Sequence, residues 1–327
     1  MLHKWMDTQS FHNVRKVLRK DPIGWWERKS AAIGSTTINY RSKIKLHGCN
    51  AAVQVHDDGE INCQSRNDFI TPEKDNMGFA RWVMDNSEPW LAAKGYIYYG
   101  EWCGSGIQRK VAISSIPKKV FAIFAARSLS NIEELITEPQ ALQGLIGNIP
   151  DVYVLPWCEV GGKEATVSID WNLKDDELSK LLEPINSWID EIEKCDPWVK
   201  ENFNVDGVGE GLVFFPDVPG YEGLSMLAFK AKGEAHKNIK TSVSVQVNPE
   251  TAAGSKAFAE LTLTPARLEQ GLATIGSNEQ SLTGKFIDWC VADVQKECMD
   301  ELEASGLEFE DVKSDLKTKA RKYFLSL

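Results

Sequence analysis

The segment Lys43-Ile44-Lys45-Leu46-His47-Gly48-Cys49-Asn50 ends an extended run on a lysine, sets a histidine two residues on, and follows it with a glycine. A lysine with a neutral amine is a nucleophile, neighbouring cations favour loss of its proton, and a glycine turn lets backbone approach a phosphate. Alone, Lys45 also fits a solvated lysine at a strand edge. Further along stand Arg66 in Gln64-Ser65-Arg66-Asn67, Glu101 in Tyr99-Gly100-Glu101-Trp102, Phe124 in Val120-Phe121-Ala122-Ile123-Phe124, Glu210 between Gly209 and Gly211, and Lys230-Ala231-Lys232. Lysines two apart on a strand project to one face, where both can hold a phosphate as charge builds on its oxygens. Carboxylates accept hydroxyl hydrogen bonds or hold divalent ions, and an arginine grips phosphate with a fork of donors.

Bringing these residues together requires a mixed α+β body. Extended runs are expected at Thr37 to Leu46, Ala51 to Gln64 with a turn at Asp57-Asp58-Gly59, Gly95 to Trp102, Lys119 to Ala126, Val152 to Trp157, Gly211 to Phe215 and Leu224 to Lys232. Helical spacing is confined to Gly78 to Met84 and Glu177 to Glu193. After Val247-Asn248-Pro249 the texture turns helical: Thr264-Pro265 reads as an N-cap with proline at the first position. Phe286, Cys290, Val294, Cys298 and Leu302 then form one helical stripe, with Gly306 as its stop. The expected division is residues 1–245 as the site-bearing domain and 246–327 as a small helical domain.

Composition narrows the classes. The chain has 327 residues, 43% hydrophobic and 26% charged, which excludes disordered and fibrous classes. No apolar run approaches the roughly 20 residues that span a bilayer, so a protein without membrane or export segment is expected. Seven scattered cysteines, none in a Cys-x-x-Cys spacing, fit a reducing cytoplasm. Five histidines, none paired at i, i+4, argue against a protein-built transition-metal centre, so any metal is expected to arrive with substrate. Net charge is −10, yet residues 1–45 carry ten basic side chains against three acidic ones, which leaves room for a local basic face. Gly207-x-Gly209-x-Gly211 lacks the last spacing and βαβ setting of a dinucleotide fingerprint.

In this order the residues resemble the six motifs of the covalent nucleotidyltransferase superfamily, which comprises ATP-dependent ligases and messenger-RNA capping enzymes. The Lys-x-His-Gly form, with His where DNA ligases commonly have Asp, is similar to the RNA ligase 2 family of phages and trypanosome RNA-editing ligases. The resemblance runs from Met1 to about Ile275, including Arg267-Leu268-Glu269-Gln270-Gly271. It implies an adenylation domain of antiparallel sheets with flanking helices, ATP with Mg²⁺ or Mn²⁺ as cofactors, and sealing of RNA ends through lysyl-AMP and an RNA-adenylate. Lys45 would attack the α-phosphorus, with Lys230 and Lys232 on the α-phosphate and Arg66 on phosphate. His47 would serve the later steps near the pyrophosphate or activated end, and Asn50 would lie near the adenylate and its metal. Glu101 would contact the ribose, Phe124 would stack on adenine, and Glu210 would position the metal. Ile44 stands where relatives commonly have Glu, leaving only backbone contact to adenine, and Ala125 replaces an Asp of some relatives.

The implied partner is RNA with 5′-phosphate and 3′-hydroxyl ends, as nicked duplex or broken structured RNA, with no protein partner. Only 44 residues precede Lys45, too few for an NAD-handling or OB domain in front of it, and the helical C-terminal texture differs from an OB barrel. A GTP-dependent capping-type guanylyltransferase and a non-catalytic RNA-binding relative are the rival classes.

Overall fold

The strand Thr37–Lys45 alternates exposed and buried side chains as far as Arg41, and is then buried on both faces from Ser42 to Ile44. Its neighbours account for this. It lies between Gly211–Pro216 and Thr166–Asp170, both antiparallel to it. Phe229–Lys232 and the short Gln9–Ser10 complete a five-stranded sheet, and the Gln9–Ser10 pairing is parallel. The computed structural model describes residues 1–6, 8–21, 23–108, 110–218, 225–233, 252–298, 302 and 307–327. These fall into two compact units, Met1–Gly233 and Glu234–Leu327. The boundary expected near residue 245 lies outside the described residues, as does the expected stop at Gly306.

A second, seven-stranded sheet runs in the order Phe69–Ile70, Ile61–Ser65, Cys49–Val55, Tyr96–Gly104, Lys119–Ser128, Leu135–Ile136, with Val152–Val154 pairing in parallel beside Lys119–Ser128. Gly59 supplies the positive φ of 92° that closes the turn after Cys49–Val55. The two sheets meet over a small apolar cluster in which Phe215 packs with Trp5, Ala52, Ile97, Tyr99 and Ala125. The other face of the five-stranded sheet is covered by helices. Ile38, Tyr40, Ile44, Leu212, Phe214 and Phe229 pack there with Val14 and Leu18 of helix Phe11–Lys20 and with Ile185, Ile189 and Ile192 of helix Asp175–Lys194. This is the α+β body expected, with mainly antiparallel sheets and flanking helices.

Helices Phe11–Lys20 and Trp25–Ile33 are not evident in the sequence. In the first, Arg15, Lys16, Arg19 and Lys20 mask the short apolar stripe, and the start is set by Ser10, whose Oγ accepts from the Asn13 N–H at 3.2 Å. In the C-terminal unit the described helices are Ala252–Thr262, Pro265–Ile275, Thr283–Glu297 and Phe309–Phe324. Thr264 caps the second of these through the Arg267 N–H. The stripe expected to run to Leu302 is buried as a stripe, but its helix stops at Glu297, where Cys298 leaves helical geometry at φ −124°. Among the described residues no helix is long and apolar enough to cross a membrane.

Candidate active site

Strand register assembles the site. Lys45 lies opposite Gly211, and Gly211 lies opposite Lys232, so both lysines project from one face with a glycine between them. Gly211 has φ +145°, and a Cβ there would stand 2.1 Å from the Ala231 carbonyl oxygen, so only glycine fits. The row before it, Lys43, Val213 and Lys230, shares that face. Glu210, just ahead of Gly211, turns its carboxylate between these cations. Lys45 Nζ lies 2.7 Å from Oε2, His47 Nδ1 lies 3.2 Å from the same oxygen, and Lys232 Nζ lies 3.3 Å from Oε1. The Glu210 side chain is 2% exposed while its three partners keep about a fifth of theirs, so the carboxylate lies beneath Lys45, His47 and Lys232, which reach solvent. Burial alone would raise its pKa, but Lys45, Lys232 and the hydrogen bond from His47 overcome this and hold the carboxyl well below its ordinary range.

A second carboxylate approaches from the other sheet. Glu101 accepts the Gly48 N–H at 3.0 Å, which draws the turn after Lys45 onto the strand Tyr96–Gly104. Gly48 is held so tightly that a Cβ would sit 2.4 Å from the Trp102 carbonyl oxygen. Asn50 stands directly opposite Glu101 in the ladder. Burial and the nearby Glu210 push the Glu101 pKa upward, while Lys45, the Gly48 N–H and Arg66 act in the opposite direction without cancelling it. Arg66, exposed one residue past Ile61–Ser65, therefore faces the same charge system.

Phe124 and Phe121 separate by burial. Phe121 is wholly buried, 4.9 Å from the Phe79 ring, whereas Phe124 is half-buried with one edge against Trp5 at 4.9 Å. Ladder pairing jumps from Tyr99 with Ala125 to Gly100 with Ile123, so Phe124 is the extra residue of a β-bulge. Such bulges re-aim a side chain. The Ile44 side chain is 4% exposed and belongs to the helix-covered core on the opposite face of the sheet, so what this position offers the site is its backbone. Three residues beside the site gave no sequence signal. Lys43 reads as a strand-edge lysine but is 1% exposed, Trp5 lies in a charged N-terminal stretch, and Gln108 donates to the Gly48 carbonyl at 3.3 Å from a loop with two glycines as its only cue.

A family model described as RNA ligase matches residues 41–224, more than half of the chain. This chain belongs to the RNA ligase family. The matched span contains Lys45, His47, Asn50, Arg66, Glu101, Phe124 and Glu210 and stops short of Lys230 and Lys232. Among solved structures, the chain is similar to a mutant Naegleria gruberi RNA ligase with ATP and Mn, at 18% identity and TM-score 0.44, over 72% of this chain and 57% of that one. A second mutant of that ligase, with AMP and Mn, gives 19% identity, TM-score 0.44 and the same two coverages. The same ligase with PPi gives 18% identity, TM-score 0.43 and, again, 72% and 57% coverage. This chain thus spans little more than half the length of those ligases. No curated protein sequence matches it.

Proposed function

We propose that this protein is an ATP-dependent RNA ligase that forms lysyl-AMP on Lys45, passes AMP to an RNA 5′-phosphate, and seals that end to a 3′-hydroxyl. The observation that carries this reading is the convergence of Lys45, His47 and Lys232 on one buried carboxylate, Glu210, from parts of the chain 165 residues apart. Lys45 needs its lone pair to attack the α-phosphorus, so the ion pair with Glu210 opens and a proton passes from Nζ to solvent before the P–N bond forms, the bond to the β-phosphate oxygen breaks and pyrophosphate leaves. Lys232 and Lys230, on the same face, meet the negative charge that builds on the phosphorus oxygens, and one site serves three in-line displacements. In this reading Glu101 accepts ribose hydroxyls, Asn50, opposite it in the ladder, and Arg66, in its charge system, border the adenylate, and Phe124 on its bulge stacks on adenine.

The donor set fits Mg²⁺ or Mn²⁺. Among the described residues no group of three or more His, Cys, Asp or Glu side chains could hold a metal alone, and Mg²⁺ commonly binds through one or two carboxylates plus substrate phosphates. Glu210, and Glu101 beside it, would be those carboxylates. A bound divalent ion would supply charge neutralisation at the phosphates.

The test is incubation with ATP labelled at the α-phosphate, with and without Mg²⁺, in parallel with GTP, read on a denaturing gel. Label from ATP that is lost in Lys45→Ala is expected, followed by joining of nicked RNA. Label from GTP instead would redirect the reading to capping chemistry. No label with either nucleotide, and no ATP released on adding pyrophosphate, would leave a binding protein.

A further inference from the structure

Lysines are seldom wholly buried, and an apolar side chain would fill the place of Lys43 at lower cost. Burial brings its pKa down to about 7, with Arg41 pushing the same way and Glu138 opposing. Its partners show what is gained. Nζ donates to the Phe124 carbonyl at 2.9 Å and lies 4.9 Å from the centre of the Trp157 ring, which also carries the Arg41 guanidinium at 4.4 Å. The Phe124 peptide is the one that the bulge leaves without an opposite residue on Tyr96–Gly104. A backbone carbonyl buried off its ladder needs a donor, and here that donor crosses from the other sheet. Lys43 is two residues from Lys45 on one strand, and the bond therefore spans from the nucleophile's strand to the bulge that presents Phe124.

We propose that Lys43 is a positioning residue for adenine binding: by tying the Phe124 carbonyl to the strand that ends in Lys45, it fixes the separation between the aromatic platform and the attacking amine. Trp5 completes the mount by bracing the Phe124 ring edge-on from the N-terminal segment. That segment is itself pinned to the second sheet, where the His3 carbonyl accepts from Gln64 Nε2 at 2.7 Å and from the Tyr99 hydroxyl at 3.1 Å. The inference deepens the adenylation reading and rests on it. A misplaced platform weakens capture of the nucleotide more than it slows attack by a lysine whose own surroundings, Glu210 and Lys232, are untouched.

The experiment measures single-turnover lysyl-AMP formation against ATP concentration in the wild type, Lys43→Met, Lys43→Gln, Phe124→Ala, and Lys43→Met combined with Phe124→Ala. Methionine keeps the length and packing over Trp157 and removes the donor; glutamine keeps a donor on a shorter arm. Lys43→Met is expected to raise the half-saturating ATP concentration about tenfold, the size of one lost hydrogen bond, with the saturated rate within about twofold of wild type. Lys43→Gln should fall between the two. In the Phe124→Ala background, Lys43→Met should add nothing further. Unchanged ATP dependence in both Lys43 variants, a loss confined to the saturated rate, or full additivity with Phe124→Ala would each overturn the role of Lys43 while leaving adenylation standing. Absence of label in the wild type would overturn both.

Discussion

Two of the buried charge clusters among the described residues serve opposite ends. In the first unit Glu210 is sunk beneath Lys45, His47 and Lys232, each about one-fifth exposed. In the second unit Arg267 is 0% exposed, 2.8 Å from Asp293, and donates to the Thr262 carbonyl at 2.7 Å and to Cys298 Sγ. Both are charges held by partners, as buried charges must be. They differ in which member is sealed. At Glu210 the anion is buried and the cations reach solvent, so a phosphate entering from outside meets positive charge first and can take over the partners of the carboxylate. At Arg267 the cation is sealed and its bonds end on helix termini and a neighbouring helix, which staples the stop of Ala252–Thr262 to Thr283–Glu297. An open charge cluster supports exchange of partners; a closed one supports a fold.

Three substitutions test that contrast, from the largest expected loss of free energy to the smallest. Arg267→Met removes the cation beside Asp293 and should cost about 3–5 kcal/mol in denaturant unfolding of the C-terminal unit, most of it restored when Asp293→Leu is added. A double variant as unstable as the single would show that the pair is more than a mutual neutralisation. Glu210→Gln should cut lysyl-AMP formation by about 10²–10³-fold, as removal of a preorganised electrostatic group does, with a far smaller change in unfolding midpoint than Arg267→Met. Equal damage to folding and chemistry would erase the distinction drawn between the two clusters. The smallest effect concerns Asp196, which is buried with no cation beside it among the described residues and caps helix Pro197–Phe203 through the Val199 N–H at 3.0 Å. Burial raises its pKa from 3.8 to about 6. The folded state therefore binds this proton more tightly than the unfolded chain, and stability is lost as pH rises from about 4 to about 6. Asp196→Asn keeps a capping oxygen and should abolish that slope, worth about 3 kcal/mol across the window. A parallel pH dependence in the variant and wild type would assign the slope to another group.

Much of the site was legible because strands keep chemistry in register. A lysine closing an alternating run, a carboxylate before a glycine, and Lys-Ala-Lys on another strand are each weak alone; their order along the chain, and its resemblance to the nucleotidyltransferase motifs, is what makes Lys45, Glu210 and Lys232 candidates. What the sequence does not carry is mutual distance: nothing local to residue 210 announces a 2.7 Å contact with residue 45. At position 44 alternation already puts the Ile44 side chain on the opposite face from Lys45, and that side chain belongs to the core. Nor does the sequence announce the burial of Lys43: a lysine is expected in solvent by type, and only a second sheet overhead, with Trp157 and the Phe124 carbonyl, makes it interior. The N-terminal helices were hidden by their charges, and the C-terminal stripe kept its apolar spacing through the point where the backbone stops being helical.

The short parallel pairing of Gln9–Ser10 with Phe229–Lys232 means that the first strand of this unit waits for its last. During synthesis, at roughly 5–20 residues per second, roughly 10–40 s separate the appearance of Lys45 from that of Lys232. For most of that interval the Thr37–Lys45 strand has no Gly211–Pro216 beside it, and its Tyr40 and Ile44 lack the Phe229 side of their packing. The nascent chain thus carries an open strand edge together with a lysine not yet flanked by its cationic neighbour. The proposed attachment of nucleotide to Lys45 would therefore have to wait until the unit closes.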